Sequence, residues 1–212
     1  MRRGGPGDPD PRGTRVSVVT DALPTLRGER VSLRQLREED ADALFDVFSD
    51  PEVTRYWSSP PMTDRIEARA LLAEIDTLRE EGTLLQWGIV EAGGGSVVGT
   101  ATLAEINREH RRAELGFALR RGLWGRGLAS EAVSLLLDQA FGAMGLHRIE
   151  ADTDPGNQSA MRLLERLGFR REGYLPQRWF VGGQWHDTVL FGLLKPDWRP
   201  DRRVENEGRR DA

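Results

Sequence analysis

A strand-like run, a glycine-rich turn and an amphipathic helix follow one another directly, and this succession constrains the fold more than anything else in the chain. Residues 113–119 read Ala-Glu-Leu-Gly-Phe-Ala-Leu and lead into Arg121-Gly122-Leu123-Trp124-Gly125-Arg126-Gly127. Apolar residues then recur at helical spacing from Leu128 to Phe141, and Gly142 ends the pattern. Gly125 and Gly127 remove side chains where the backbone must turn sharply. The helix behind them adds unpaired N–H groups and the positive end of its dipole. Such a corner suits an anion, most naturally a phosphate or pyrophosphate, with Arg126 able to add a charged contact. A plain tight turn explains the glycine spacing equally well on its own.

The rest of the chain alternates in period. Residues 31–34 alternate like a strand, 39–48 carry a helical apolar face, and Asp50-Pro51 stops it. A second helix is expected from Thr63 or Asp64 to Glu81, opened by the Asp64/Glu67 pair as a capping box. Two β-runs, 85–91 and 97–106, flank Ala92-Gly93-Gly94-Gly95, a hairpin signal. Strand 148–153, helix 159–167 and two strands over 170–178 and 187–194 complete the order βααβββαβαββ. That order predicts an α/β (α+β) domain, a mixed sheet flanked by helices. Its extent is expected to be 23–196. Residues 1–22, rich in Gly, Pro, Arg and Asp, read as a disordered tail, and 197–212 as a charged one.

Composition removes several chemistries. There is no cysteine, so no disulfide, thiolate nucleophile or Cys-ligated metal is expected. Lys195 is the single lysine, which leaves the glycine-rich turn without the lysine a P-loop needs. His110, His147 and His186 lie far apart with no HExxH pair, so no metal site is expected. A net charge of −4 with acids and bases mixed gives no basic footprint for nucleic acid or a membrane surface. No apolar run reaches membrane-spanning length, and a soluble cytoplasmic protein is the expectation.

A dinucleotide is one candidate ligand. Gly125-x-Gly127-x-x-Ser130 imitates GxGxxG, and Glu150 follows about 20 residues on. The third glycine is missing, the strand carries Glu114, and too little chain remains for further βα units. A nucleotide-dependent oxidoreductase is therefore disfavoured.

Trp124-Gly125-Arg126-Gly127-Leu128-Ala129-Ser130-Glu131-Ala132 resembles the acetyl-coenzyme A (acetyl-CoA) pyrophosphate loop of GNAT-superfamily N-acetyltransferases. The motif's general form is Gln/Arg-x-x-Gly-x-Gly/Ala, and Trp124 in its first position is a variant of the branch resembling ribosomal-protein N-terminal (alanine/serine) acetyltransferases. Other pieces match in family order. They include Leu26–Arg34 with Glu39-Asp40, Asp50–Val53, the Trp87–Val90 and Val98-Gly99 hairpin, His147–Ala151, Asn157–Arg170 and Gly173-Tyr174. The resemblance spans about 26–196.

The resemblance implies a single mostly antiparallel sheet of six to seven strands with about four helices, splayed between strands 113–119 and 148–153. It implies acetyl-CoA as cosubstrate, with no metal. The pantetheine arm is then expected against the backbone of Phe117, Ala118 and Leu119, with Gly116 at a bulge or close approach. The pyrophosphate is expected on Trp124, Gly125, Arg126, Gly127, Leu128, Ala129 and Ser130. Asn157 matches a coenzyme-contacting position and also reads as a helix cap. The implied reaction is direct attack of a primary amine, from a protein N-terminus or a small molecule, on the acetyl carbonyl in a ternary complex. The partners are then acetyl-CoA and that amine, in a monomer or homodimer. A coenzyme-binding regulatory or interaction module without turnover is the alternative.

Catalytic residues carry over poorly. The glutamate base of one N-terminal acetyltransferase subfamily falls on Asp152 and its tyrosine acid on Leu164. The Ser and Glu of the ribosomal L7/L12-type enzymes fall on Ala160 and Trp179. The base candidates are thus Asp152, Glu114 and Glu150, all on the two cleft strands. Trp179 is expected to shape the acceptor pocket. Tyr174 is a conceivable acid but reads better as a half-buried structural residue, and His186-Asp187 reads as a structural pair facing opposite ways.

Overall fold

The computed structural model describes residues 22–200. Eight strands form one sheet in the order β1-β2-β3-β4-β5-β6-β8-β7. They are β1 (Leu26–Arg27), β2 (Val31–Gln35), β3 (Leu85–Glu91), β4 (Gly99–Asn107), β5 (Arg112–Leu119), β6 (Arg148–Thr153), β7 (Arg170–Val181) and β8 (Gln184–Leu194). The helices are α1 (Ala41–Phe48), α2 (Pro51–Thr54), α3 (Arg65–Glu81), α4 (Leu128–Phe141) and α5 (Gln158–Arg166). The expected mixed, mostly antiparallel sheet is present, with one strand and one helix more than anticipated. The two residues of β1 are too few to carry a periodic signal. Asp50-Pro51, read as a stop, also starts α2: Asp50 accepts from the Glu52 N–H and Pro51 fills the first helical position.

Each face of the sheet is packed. Leu33, Trp87, Leu103, Leu115 and Ile149 meet Leu128, Val133, Leu136 and Leu137 of α4 and Met161 and Leu164 of α5. On the other face Val90 and Ala118 meet Leu44, Val47, Phe48, Ala68, Leu72 and Ile75 from α1 and α3. The Asp64/Glu67 capping box opens α3 as expected, and left-handed Gly82 closes it. Trp198, assigned by sequence to the charged tail, is only 8% exposed. It packs on Phe141 and donates its Nε1–H to Asp138, so the folded unit reaches past 196. The remainder of that tail and the segment 1–21 lie outside the described residues.

One pairing makes the site. β5 and β6 run parallel and register only Arg112, Ala113 and Glu114 with Arg148, Ile149 and Glu150. Beyond that point β5 stays with β4 up to Leu119, while β6 follows β8 up to Thr153. The sheet therefore splays between them, as anticipated.

Candidate active site

The turn after β5 presents bare backbone. Gly125 and Gly127 both have φ of +74°, a region L side chains rarely enter. Gly127 is the N-cap of α4, and no side chain caps that helix. Among the described residues no acceptor engages the N–H groups of 125–130; the first backbone bond of α4 runs from the Glu131 N–H to the Gly127 carbonyl at 3.1 Å. Uncapped N–H groups at a helix start, exposed at the mouth of a cleft, form an anion cradle. A Cβ added at Gly127 would lie 3.0 Å from Arg30 Nη1. The residues fit a diphosphate. Trp124 donates its Nε1–H back to the Leu119 carbonyl at 2.7 Å and ties the loop to the end of β5. Arg126 stands at the rim, 3.3 Å from Glu91.

Glu131 holds this loop in place. It is 7% exposed, accepts from the Arg30 backbone N–H and Nε at 2.9 Å each, and lies 3.4 Å from the Val31 N–H. Arg30 also donates to the Arg126 carbonyl at 3.3 Å. Gly28 allows the approach, because a Cβ there would sit 2.1 Å from Glu131 Oε1. Burial pushes the Glu131 carboxyl upward, but the hydrogen bonds from Arg30 and Val31 outweigh it and hold the group below its ordinary range. A depressed native value stabilises the fold above the unfolded carboxylate range, and that stability is lost as pH falls through the native value. Glu131→Ala is expected to cost about 2–3 kcal/mol at neutral pH. Urea denaturation with an unchanged m-value would record it, together with a weaker grip on a coenzyme.

Between the splayed strands backbone groups again face inward. The Arg120 N–H donates to the Val98 carbonyl, which makes 98 and 120 a hydrogen-bonded pair. Antiparallel alternation then turns Ala118 and Gly116 toward Thr100 and Thr102 of β4. The same alternation turns Leu115, Phe117 and Leu119 toward the cleft. Of the three expected backbone contacts, Phe117 and Leu119 thus face the cleft and Ala118 does not. Gly116 sits in regular register, and the bulge falls instead on β4, between Ala104 and Asn107, where Glu105 has φ of +49°.

The cleft opens into a cavity of about 270 Å³ walled by β5, β6, the start of α5, the β7–β8 hairpin and residues 55–58. Asn157 caps α5 through the Ala160 N–H at 3.1 Å and also lines the cavity. Ala160 and Leu164 present no proton donor along the α5 wall. Tyr56, Trp57, Phe117 and Trp179 give it an aromatic lining.

Four carboxylates reach the cavity: Glu114, Asp152, Asp154 and Asp187. Three have partners. Asp152 accepts from Trp179 Nε1 at 3.3 Å and lies 3.7 Å from Arg178 Nε. Asp154 accepts from the Gly156 N–H at 2.7 Å and faces His186 Nδ1 at 3.5 Å. Asp187 accepts from the Tyr174 hydroxyl and from the Gln177 N–H. Glu114 has no hydrogen-bond or ion-pair partner among the described residues. Its carboxyl is pushed up by burial first and by the charge of Asp152 second, with Arg178 opposing. Glu150, the third base candidate, is held by Arg112 at 2.8 Å and Arg148 at 2.7 Å, away from the cavity lining.

Several sequence expectations shift here. His186 partners Asp154 rather than its neighbour Asp187, and both residues of that pair line the cavity. Tyr174 is 54% exposed, more than expected, and its hydrogen bond to Asp187 raises its pKa, which makes it a weaker acid. Sequence reasoning missed Glu131, Tyr56, Trp57 and Asp154.

This geometry belongs to an acetyl-transferring class of enzyme. The family model for the acetyltransferase (GNAT) domain matches residues 30–170, and the chain belongs to that family of acyltransferases. The uncharacterized N-acetyltransferase p20 of Bacillus licheniformis is 40% identical over 176 residues, covering 83% of this chain and 99% of the relative. The [ribosomal protein uS5]-alanine N-acetyltransferase of Escherichia coli is 29% identical over 185 residues, covering 84% and 94%. The solved structure of Mycobacterium smegmatis RimJ in complex with CoA-disulfide superposes with a TM-score of 0.72 at 27% identity, covering 82% of this chain and 88% of that one. No helix among the described residues is long and apolar enough to cross a membrane, and no group of metal-ligating side chains occurs among them.

Proposed function

We propose that the protein transfers an acetyl group from acetyl-CoA to a primary amine, a protein N-terminus or a small cationic amine, by direct attack in a ternary complex. The carrying observation is the run of acceptor-free N–H groups over 125–130 at the mouth of a cleft whose far end is acidic. In this reading the diphosphate rests on that run and the pantetheine arm follows the cleft-facing backbone of Phe117 and Leu119, with Asn157 opposite. The amine enters from the cavity side, where four carboxylates outnumber Arg55, His186 and the nearby Arg178. An ammonium must lose a proton before it attacks, and Glu114 is the carboxylate free to take it. The neutral nitrogen then bonds to the acetyl carbon, the carbon–sulfur bond breaks, and coenzyme A leaves with the electron pair as thiolate, which takes up the second proton that the nitrogen sheds on becoming an amide. An inward backbone N–H of β5 stabilises the tetrahedral oxyanion. The catalytic unit is proposed to comprise residues 23–196 together with the docked Trp198, and the cytoplasm is the proposed setting.

Two measurements test this. Acetyl-CoA at one hundred times its Kd is expected to raise stability by about 2.7 kcal/mol, while NAD at the same concentration leaves it unchanged. A screen of N-terminal peptides, polyamines and aminoglycosides should find amines that trigger thiol release. Protection without release from any amine would favour the non-catalytic coenzyme-binding module.

A further inference from the structure

The β7–β8 hairpin contains an irregularity that the acetyl-transfer reading does not use. Leu175 registers with Thr188 and Trp179 with His186, so three residues of β7, 176–178, stand opposite the single residue Asp187. Gln177 at the centre of this bulge has φ of +52°, an uncommon conformation for a residue with a side chain. Two hydrogen bonds to one carboxylate hold it. Asp187 accepts from the Gln177 N–H at 2.8 Å on Oδ1 and from the Tyr174 hydroxyl on Oδ2. Consecutive residues of a regular strand point to opposite faces. Here Arg178 and Trp179, adjacent in sequence, both reach the Asp152 carboxylate, at 3.7 Å and 3.3 Å. The bulge makes that convergence possible. Strain of this kind persists only where its surroundings over-determine it, and it concentrates at functional sites.

We infer that Asp187 is a positioning residue for the acceptor: it locks the β7 bulge and so sets the Trp179 wall against Asp152. This rests on the acetyl-transfer reading for its consequence in turnover, but the lock itself is a feature of the fold. Asp187 acts through Gln177 and Tyr174, with both carboxylate oxygens engaged, and is not itself the base. Its loss frees Trp179 and Arg178 from Asp152, and the acceptor then meets a wall of the wrong shape. Residues 125–130, where the diphosphate is proposed to rest, are absent from the lining of the cavity that Asp187 reaches, so acetyl-CoA affinity is expected to stay near that of the wild type.

The test compares Asp187→Ala, Asp187→Asn and Tyr174→Phe in the full chain. Asp187→Ala is expected to raise the acceptor KM about tenfold or more, with a smaller change in kcat and an unchanged acetyl-CoA Kd. Asp187→Asn keeps an oxygen for the Gln177 N–H and should recover most of the loss. Tyr174→Phe should fall between them. Independently of activity, the Trp179 indole N–H resonance, assigned by its disappearance in Trp179→Phe, should move in Asp187→Ala and return in Asp187→Asn. A stationary resonance with an unchanged acceptor KM would overturn the inference. So would parallel loss of acceptor and acetyl-CoA binding, which marks general destabilisation. If the wild type acetylates no amine but the resonance responds as described, the lock stands and the acetyl-transfer reading fails.

Discussion

Gly127→Val is expected to abolish measurable acetyl-CoA binding by a protein that still folds. Two penalties combine at that position. The residue sits at φ of +74°, where an L side chain costs about 1–2 kcal/mol and a β-branched one more. Its Cβ would also lie 3.0 Å from Arg30 Nη1. The two valine methyls then extend into the cradle and press the guanidinium away from Glu131 and the Arg126 carbonyl, both of which Arg30 now holds. The cofactor loses its anion site and the loop loses its tether. Calorimetric titration should show a Kd raised by about 100-fold or more, equal to about 2.7 kcal/mol of binding. Gly127→Ala is expected to fall between wild type and valine, because it adds the Cβ without the branches. Circular dichroism fixes the control: a folded Gly127→Val variant that titrates like wild type removes residues 124–130 from the coenzyme site.

The difference between what the chain disclosed in advance and what it did not follows sequence distance. Gly125 and Gly127 were legible because a turn's backbone demands are met by the residues of the turn itself. The splay was foreseen only through family resemblance, since nothing in 113–119 or 148–153 states where their pairing ends. The tether was hidden because Glu131 finds Arg30 across 101 positions. Glu131 alone reads as an ordinary acid in the first turn of a helix, and Gly28 as an ordinary turn glycine. Trp198 was misjudged for a related reason. Its neighbours are charged, but one aromatic that reaches Phe141 and Asp138 is enough to dock the segment. Choosing among three acidic candidates also required partners. Glu114, Glu150 and Asp152 are alike in sequence, and only the arginines that hold Glu150, the Trp179 and Arg178 that hold Asp152, and the lack of any hydrogen bond or ion pair to Glu114 among the described residues separate them.

Glu114→Gln is expected to lower kcat by about 10²–10⁴-fold, the usual contribution of a positioned proton acceptor. Acetyl-CoA affinity should stay near that of the wild type, because residues 125–130, the proposed diphosphate site, lie outside the cavity that Glu114 lines. The same substitution is expected to raise stability at neutral pH, and the sign follows from linkage. Burial and the neighbouring Asp152 charge lift the native Glu114 pKa above its unfolded value. The native state therefore holds this proton more tightly, and stability falls as pH climbs from the ordinary carboxylate range through the raised native value. Glutamine carries no charge to desolvate and escapes that fall, so the midpoint of thermal unfolding should rise as activity drops. Asp152→Asn separates the two influences on Glu114. Removing the like charge should move the acid limb of kcat/KM to lower pH, while burial alone keeps it above the free-carboxylate range. If Glu114→Gln retains full turnover, proton removal belongs to water or to the acceptor itself, and the unbonded carboxylate at the last position where β5 pairs with β6 is only a cost to the fold.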